Sequence, residues 1–425
     1  MIKRIQALHY RALKQVDINL SNFQILVGPN ASGKSTFIDI MTLINELISK
    51  EPVKAIHTRS RRFDELLWNQ SGISFELSIE LEIPGEISQR LKENGYKKFR
   101  YEIAIAQDDR EGVIIQNENA WLLRPPAIRS EEFLNNPESG QQITIFPVDK
   151  PEPIHIITTR KRTPPGWRKV ISKSAQGNDY FKSESTDWNI TYRFGPHKSS
   201  LAGMPEDEIR FPITRWARRT LIEGIEFIQL NSKTMKNPCR PDLPIEFQPD
   251  GSNLPLVVHY LKKEHPDNYQ NWLEHVQTAI PEIKEINIIE RPEDRYLYLT
   301  VANHNDLKLP SWVLSDGTLR LLALTIIAYL PVEHKVYLIE EPENGLHPLA
   351  IETVYQSLSS VYNNQVLMAT HSPAILRLAE PLNILCFAKT ESGAAVVIRG
   401  DEHPRLKDWR KGVDIATLHA AGVLQ

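Results

Sequence analysis

Cysteine is nearly absent. Only Cys239 and Cys386 occur in 425 residues, and their separation suits neither a zinc site nor a disulfide framework, so a reducing, cytoplasmic setting is expected. Long apolar runs are missing too. The longest, Leu321 to Leu330, stops at Pro331 and falls short of the ~20 residues a spanning helix needs. No signal-peptide core follows Met1, and no membrane partner is expected. Charge of one sign is also missing, since a formal net charge of −3 speaks against wholesale polyanion binding and leaves only local basic faces. No internal repeat, low-complexity tract or sustained heptad pattern interrupts the chain, which excludes a repeat array and a long coiled coil. Apolar residues are plentiful, at 41%. At this length they are enough for about two lobes.

Residues 28 to 35 read Gly-Pro-Asn-Ala-Ser-Gly-Lys-Ser, after the apolar run Phe23 to Val27 and before a helix-compatible stretch from Thr36. This is the G-x-x-x-x-G-K-S spacing of a phosphate-binding loop. Backbone N–H groups from Asn30 to Thr36 (Asn30, Ala31, Ser32, Gly33, Lys34, Ser35, Thr36) are expected to cradle a polyphosphate. Lys34 would reach the β/γ oxygens, and Ser35 would offer a hydroxyl to Mg²⁺.

The remaining chain reads as a split α/β head. Short strands are expected at Ile2 to Leu8, Val16 to Leu20 and Phe23 to Val27, followed by an amphipathic helix through Met41 and Leu47. Alternating apolar and polar residues over Ser74 to Ile83 and Phe99 to Ala106, with a return at Val113 to Leu123, predict an antiparallel sheet with one wet face. Together residues 1–124 form the N-terminal part. Periodicity then fades, and proline, glycine and serine crowd residues 125–215, which read as a loop-rich insertion. Residues 216–310 read as a helical and β lid region, and 311–425 as the C-terminal part of the head.

A second dense group of motifs lies in that C-terminal part. Val336 to Glu341 (VYLIEE) is a buried-strand pattern ending in two carboxylates, the arrangement that puts an acid near Mg²⁺ on a strand expected beside the loop-bearing one. Glu340 would support the metal and Glu341 would polarise the attacking water. Upstream, Leu314-Ser315-Asp316-Gly317-Thr318 precedes an apolar helix whose N-terminus Ser315 would cap, leaving free N–H groups for a phosphate. Downstream, the apolar strand Val366 to Ala369 leads to His371.

In this order the motifs resemble the ABC-type ATPase heads, the superfamily of transporter nucleotide-binding domains, structural-maintenance-of-chromosomes (SMC) proteins and overcoming-lysogenization-defect nucleases. The signature LSDGT replaces LSGGQ, and Glu340 stands where Asp is commoner. With Glu340 to Pro348 (EEPENGLHP), these variants are similar to the bacterial "AAA family ATPase" branch of defence loci. The resemblance implies an ABC-ATPase fold: a mixed P-loop sheet with helices, an antiparallel β subdomain and an insertion. It implies ATP and Mg²⁺ as cofactors, Lys34, Glu341 and His371 as catalytic residues, with His371 sensing the γ-phosphate, and a D-loop at Asn344 to His347. It further implies a homodimer or higher oligomer in which Leu314, Ser315, Asp316 and Gly317 of one copy close over nucleotide held by another. Tyr10 and Arg11 resemble a nucleotide-touching segment of repair-type heads, and Gln70 is the candidate metal-watching glutamine beside Ser35 and Glu340.

Transport is disfavoured, because most of the chain separates Lys34 from Ser315 and no membrane segment occurs. The stretch after His371 holds no Asp-x-Asp cluster, so no fused Toprim nuclease is expected and any nuclease or toxin activity is assigned to a separate effector. A basic run around Trp167 (Arg160, Lys161, Arg162, Arg168, Lys169, Lys173), extended by Arg215, Arg218 and Arg219, offers a surface for DNA or RNA. The expected function is therefore an ATP-hydrolysing switch that controls an effector in anti-phage defence. The alternatives are a DNA repair clamp and a non-hydrolysing, nucleotide-dependent scaffold.

Overall fold

The computed structural model describes residues 1–89, 95–125, 147–149, 151–158, 163–404 and 406. In chain order its strands are β1 (Ile2–Tyr10), β2 (Leu13–Asn19), β3 (Phe23–Val27), β4 (Ser74–Glu82), β5 (Lys98–Asp108), β6 (Gly112–Leu123), β7 (Trp167–Ser174), β8 (Asp179–Lys182) and β9 (Asn189–Tyr192). They continue as β10 (Ile225–Ile228), β11 (Ile283–Glu290), β12 (Leu297–Asn303), β13 (Lys308–Pro310), β14 (Val336–Glu340), β15 (Gln365–Ala369), β16 (Ile384–Lys389) and β17 (Ala395–Arg399). Three sheets result: an antiparallel one ordered β2-β1-β4-β5-β6-β7-β8-β9, a mainly parallel one ordered β10-β14-β15-β3-β16-β17, and the small β11-β12-β13.

The parallel sheet is apolar on both faces, as its near-continuous hydrophobic strands require. Because side chains alternate along a strand, Leu26, Val336, Leu338 and Leu367 enter a core shared with the antiparallel sheet and the helix Lys34–Ser49. Ile25, Val27, Tyr337, Ile339, Val366 and Met368 enter a second core on the opposite face. There they meet the helices Leu254–Glu264, Pro266–Ala279, Asp316–Ile326 and Pro348–Ser359. Each fully buried Leu or Ile contributes roughly 1.5–3 kcal/mol. Two packed faces therefore hold the strand ends in place. Gln365 ties the sheets together, since its amide accepts from the Ile2 N–H (2.9 Å) and donates to the Ile2 carbonyl (2.9 Å).

Three expectations change in three dimensions. The acidic strand β14 is not beside β3, because β15 pairs in parallel with both and stands between them. Within the stretch read as a loop-rich insertion, β7, β8 and β9 extend the antiparallel sheet. At the start of the stretch read as a lid, β10 pairs in parallel with β14 and edges the nucleotide-type sheet.

On the central strands β4 and β5 the face that alternation suggested to be wet is buried, in part under residues 151–158, while β2, β8 and β9 keep exposed side chains such as Asp17 and Lys182. Glu76 Oε2 accepts from the Ile156 and Ile157 N–H groups (2.7 and 3.0 Å), and Glu102 accepts from the Thr158 N–H (2.9 Å) and Trp121 Nε1 (3.1 Å). Arg100 donates to Glu102 (2.7 Å) and Glu80 (3.0 Å), so a buried guanidinium balances the carboxylates. Removing one partner from such a network strands the others without water. Glu102→Ala is expected to lower unfolding stability by about 3–5 kcal/mol, checked by urea denaturation; a loss within the ~0.5 kcal/mol typical of surface changes would contradict the network.

Candidate nucleotide site

The parallel strands β3, β14 and β15 end on one edge of their sheet, where open α/β sheets place ligands. From that edge the chain runs into the 28–33 loop, the turn after Glu340 and the segment Thr370–His371. These line a cleft of about 1000 Å³ with Arg11, Asn30, Ala31, Gly33, Lys34, Ser35, Thr36, Gln70, Glu340, Glu341, Asn344 and His371. Residues far apart in sequence thus meet.

Two loop positions require glycine on structural grounds. At Gly28 a Cβ would lie 2.3 Å from the Phe387 carbonyl oxygen of β16. Gly33 takes φ +103, in the left-handed region. Lys34, nearly buried, donates from Nζ to the carbonyls of Gly28 (2.8 Å) and Pro29 (2.9 Å), so the ammonium is already held over the loop. Burial pulls its pKa down, while Glu341 and Glu340 oppose that shift. Ser35 is exposed to the cleft, whereas Ser32 is buried and does not line it.

Glu341 follows β14 with φ 47, an unusual conformation for a residue with a side chain. Its N–H donates to the Ala369 carbonyl (2.8 Å), and Asn344 Nδ2 donates to its carboxylate. The His371 pKa is lowered by burial first and by Lys34 second, against Glu341 and Glu343. On the opposite wall, the Arg11 N–H donates to the Leu66 carbonyl (2.9 Å), which joins the end of β1 to the turn carrying Asn69 and Gln70. Arg11 Nη1 also lies 3.3 Å from Asp39. Tyr10 does not touch the cleft. Its ring is fully buried against Phe75, with a centroid separation of 4.9 Å, and its hydroxyl donates to Asp39 (2.5 Å).

Leu314, Ser315, Asp316 and Gly317 lie outside the cleft of their own chain. Ser315 does cap its helix, accepting from the Thr318 N–H at 3.0 Å. Asp316 pairs with Lys236 (2.6 Å), and Gly317 packs so close to the turn after Glu341 that a Cβ would sit 2.7 Å from the Gly345 carbonyl oxygen.

Part of the basic segment is engaged within the fold. Arg168 donates to the Ser183 carbonyl (2.6 Å), Lys169 to Asn119 (3.0 Å) and buried Lys173 to Asp179 (2.6 Å). Trp167 packs on Trp121. Arg215 and Arg218 pair with Glu206, and Arg219 with Glu223. Arg168 and Lys173 are thus tied into the fold, whereas Arg219 remains largely exposed and Lys169 lines a groove beside β7; Arg160, Lys161 and Arg162 lie outside the described residues. Reading the sequence also missed Lys389, at the end of β16, and Glu65, both of which line the cleft. Lys389 had one weak signal, a single cation closing an apolar strand.

A family model described as "AAA domain, putative AbiEii toxin, Type IV TA system" matches residues 23–377, from β3 to beyond His371. The chain belongs to this family. No curated protein matches this AAA-domain chain. Among solved structures, an Smc head bound to the C-terminal winged-helix domain of ScpA is similar at 14% identity and TM-score 0.53, over 93% of this chain and 96% of that one. An Smc head bound to the C-terminal domain of ScpA derived from Pyrococcus furiosus is similar at 14% identity and TM-score 0.47, over 96% and 99%. The SMC head from Thermotoga maritima is similar at 11% identity and TM-score 0.42, over 94% and 98%. At such identities the likeness concerns the fold alone, and the first match shows an α/β head like that of Smc. Among the described residues, no helix is long and apolar enough to cross a membrane.

Removing the Lys34 charge takes away one influence that lowers the His371 pKa. In an NMR titration, the His371 ring is expected to titrate below the ordinary ~6.5 and to move upward in Lys34→Met. An unchanged or lower pKa in that variant would contradict the electrostatics.

Proposed function

We propose that this AAA-domain protein binds and hydrolyses ATP as an ABC-type molecular switch, acting as a homodimer or higher oligomer that controls a separate effector in bacterial anti-phage defence. The observation that carries the reading is the convergence of Lys34, Ser35, Glu340, Glu341 and His371 on one cleft. In this reading Asn30 to Thr36 and Arg11 bind nucleotide. Lys34 turns from the loop carbonyls toward phosphate oxygens, a short swing for a flexible ammonium. Glu341, oriented by Asn344, accepts the proton of the attacking water, and His371 contacts the γ-phosphate.

The donor set suits Mg²⁺. Ser35, Glu340 and Gln70 offer oxygen ligands, the hard donors this cation prefers. Among the described residues no group of three or more His, Cys, Asp or Glu side chains is placed to hold a metal. That fits an ion that arrives with the nucleotide and keeps its phosphate ligands. When bound, Mg²⁺ would neutralise charge developing on the phosphates.

Ser315 caps a helix whose N-terminal N–H groups and positive dipole end suit a γ-phosphate. Since it lies outside the cleft of its own chain, the proposed donor is a second copy. The family description names a putative toxin of a type IV toxin–antitoxin system, which agrees with an output exerted through other proteins. Two buried free cysteines agree with a reducing cytoplasm.

Two experiments test the reading. Lys34→Ala is expected to lose binding of fluorescent ATP, while Glu341→Gln keeps binding and loses turnover by roughly 100-fold or more; equal turnover in both variants and the native chain would contradict the roles. Ser315→Arg should also abolish turnover without loss of binding. Mixing it with Lys34→Ala should restore part of the activity, because one composite site then holds both native halves. No restoration at concentrations where chains associate would contradict closure in trans.

A further inference from the structure

Two residues after Glu341 stands a third carboxylate with no role so far. Glu343 lies in the turn between β14 and the helix Pro348–Ser359, yet its contacts cross to the end of β15. Its Oε1 accepts from Thr370 Oγ1 at 2.6 Å and from the His371 N–H at 3.1 Å. Thr370 is fully buried, and its hydroxyl oxygen also accepts from the Ser372 N–H at 2.9 Å. A chain of hydrogen bonds thus runs from Glu343 through Thr370 to Ser372, which caps the helix Pro373–Leu378. His371 sits between two anchored neighbours.

We infer that Glu343 is the positioning residue for His371, clamping its backbone so that the turn carrying Glu341 and the segment carrying His371 keep one relative geometry. The inference deepens the ATPase reading and rests on it. The physical reason is local. His371 stands two positions past Ala369, the last residue of β15, where ladder pairing with β14 and β3 ends, so its backbone N–H needs another acceptor to stay fixed. A carboxylate is a stronger acceptor than a neutral group, and it comes from the turn that also bears the proposed base. Glu343 Oε2 is buried and has no hydrogen-bond partner. The Oε1 contacts to Thr370 and His371 are therefore the hydrogen bonds through which this carboxylate acts.

If Glu343 acts through His371, removing it changes turnover and leaves nucleotide binding in place. Glu343→Ala is expected to lower kcat by about 10- to 100-fold, with KM for ATP within about twofold. In a His371→Ala background the same change should cost almost nothing further, because the side chain it places is gone. Thr370→Val, which removes only the hydroxyl partner, should lower kcat by a smaller factor. Backbone amide exchange at His371 should rise in Glu343→Ala while exchange in β14 and β15 is unchanged, a readout independent of hydrolysis and of gross folding. Native kcat in Glu343→Ala, a full additional loss on top of His371→Ala, an effect on KM alone, or unchanged exchange at His371 would each overturn the inference. A native chain that turns over no ATP at all would instead overturn the ATPase reading, and this inference with it.

Discussion

The parallel pairing of β14, β15 and β3 is the constraint on which the cleft depends. Residues of each strand alternate between two separate cores, so a slip of one position would turn an entire apolar set to the wrong side. That penalty locks the register of Leu338 against Leu367 and of Leu367 against Gln24. With register fixed, Glu340 and Ala369 are partners at the last rung. The groups that leave the sheet there can only diverge from a common edge. The geometry of the cleft is therefore inherited from core packing.

Strain is concentrated where that order stops. Among the described residues, ten with side chains have positive φ, and five of them, Arg11, Ala31, Asn69, Gln70 and Glu341, line the cleft. Such conformations cost on the order of 1–3 kcal/mol each and persist where the surroundings over-determine them. Here the surroundings are hydrogen bonds between loops: the Arg11 N–H on Leu66 and the Glu341 N–H on Ala369. The cleft walls are tied to each other as well as to the sheet. This explains how six separate segments of the chain can define one site.

Much of the cleft's lining was legible in the sequence, because the chemistry proposed for it needs contiguous residue types. Lys34 and Ser35 follow a glycine at fixed spacing, Glu340 and Glu341 end an apolar strand, and Ser315 stands where a cap must stand. Strand order was not legible, since nothing in VYLIEE states that β15 will intervene before β3. β7 to β9 escaped for a different reason. The cations of β7 looked solvent-facing, but buried Lys173 pairs with Asp179 and half-buried Arg168 donates to the Ser183 carbonyl, so at these two positions polarity marked internal ties. Glu343 was hidden inside a recognised motif. A third acid in Glu-Glu-Pro-Glu is surplus to the metal-binding and general-base roles proposed for Glu340 and Glu341, and that surplus was its only signal.

Hydrogen–deuterium exchange with and without Mg²⁺-ATP tests the central claim most directly, that the edge formed by β3, β14 and β15 is the nucleotide site and that the signature helix of another copy covers it. Protection is predicted at residues 28–36, 340–344 and 369–372, joined by 314–318 only at concentrations where chains associate. Protection confined to other segments, or an exchange pattern that ATP leaves untouched, would contradict the account.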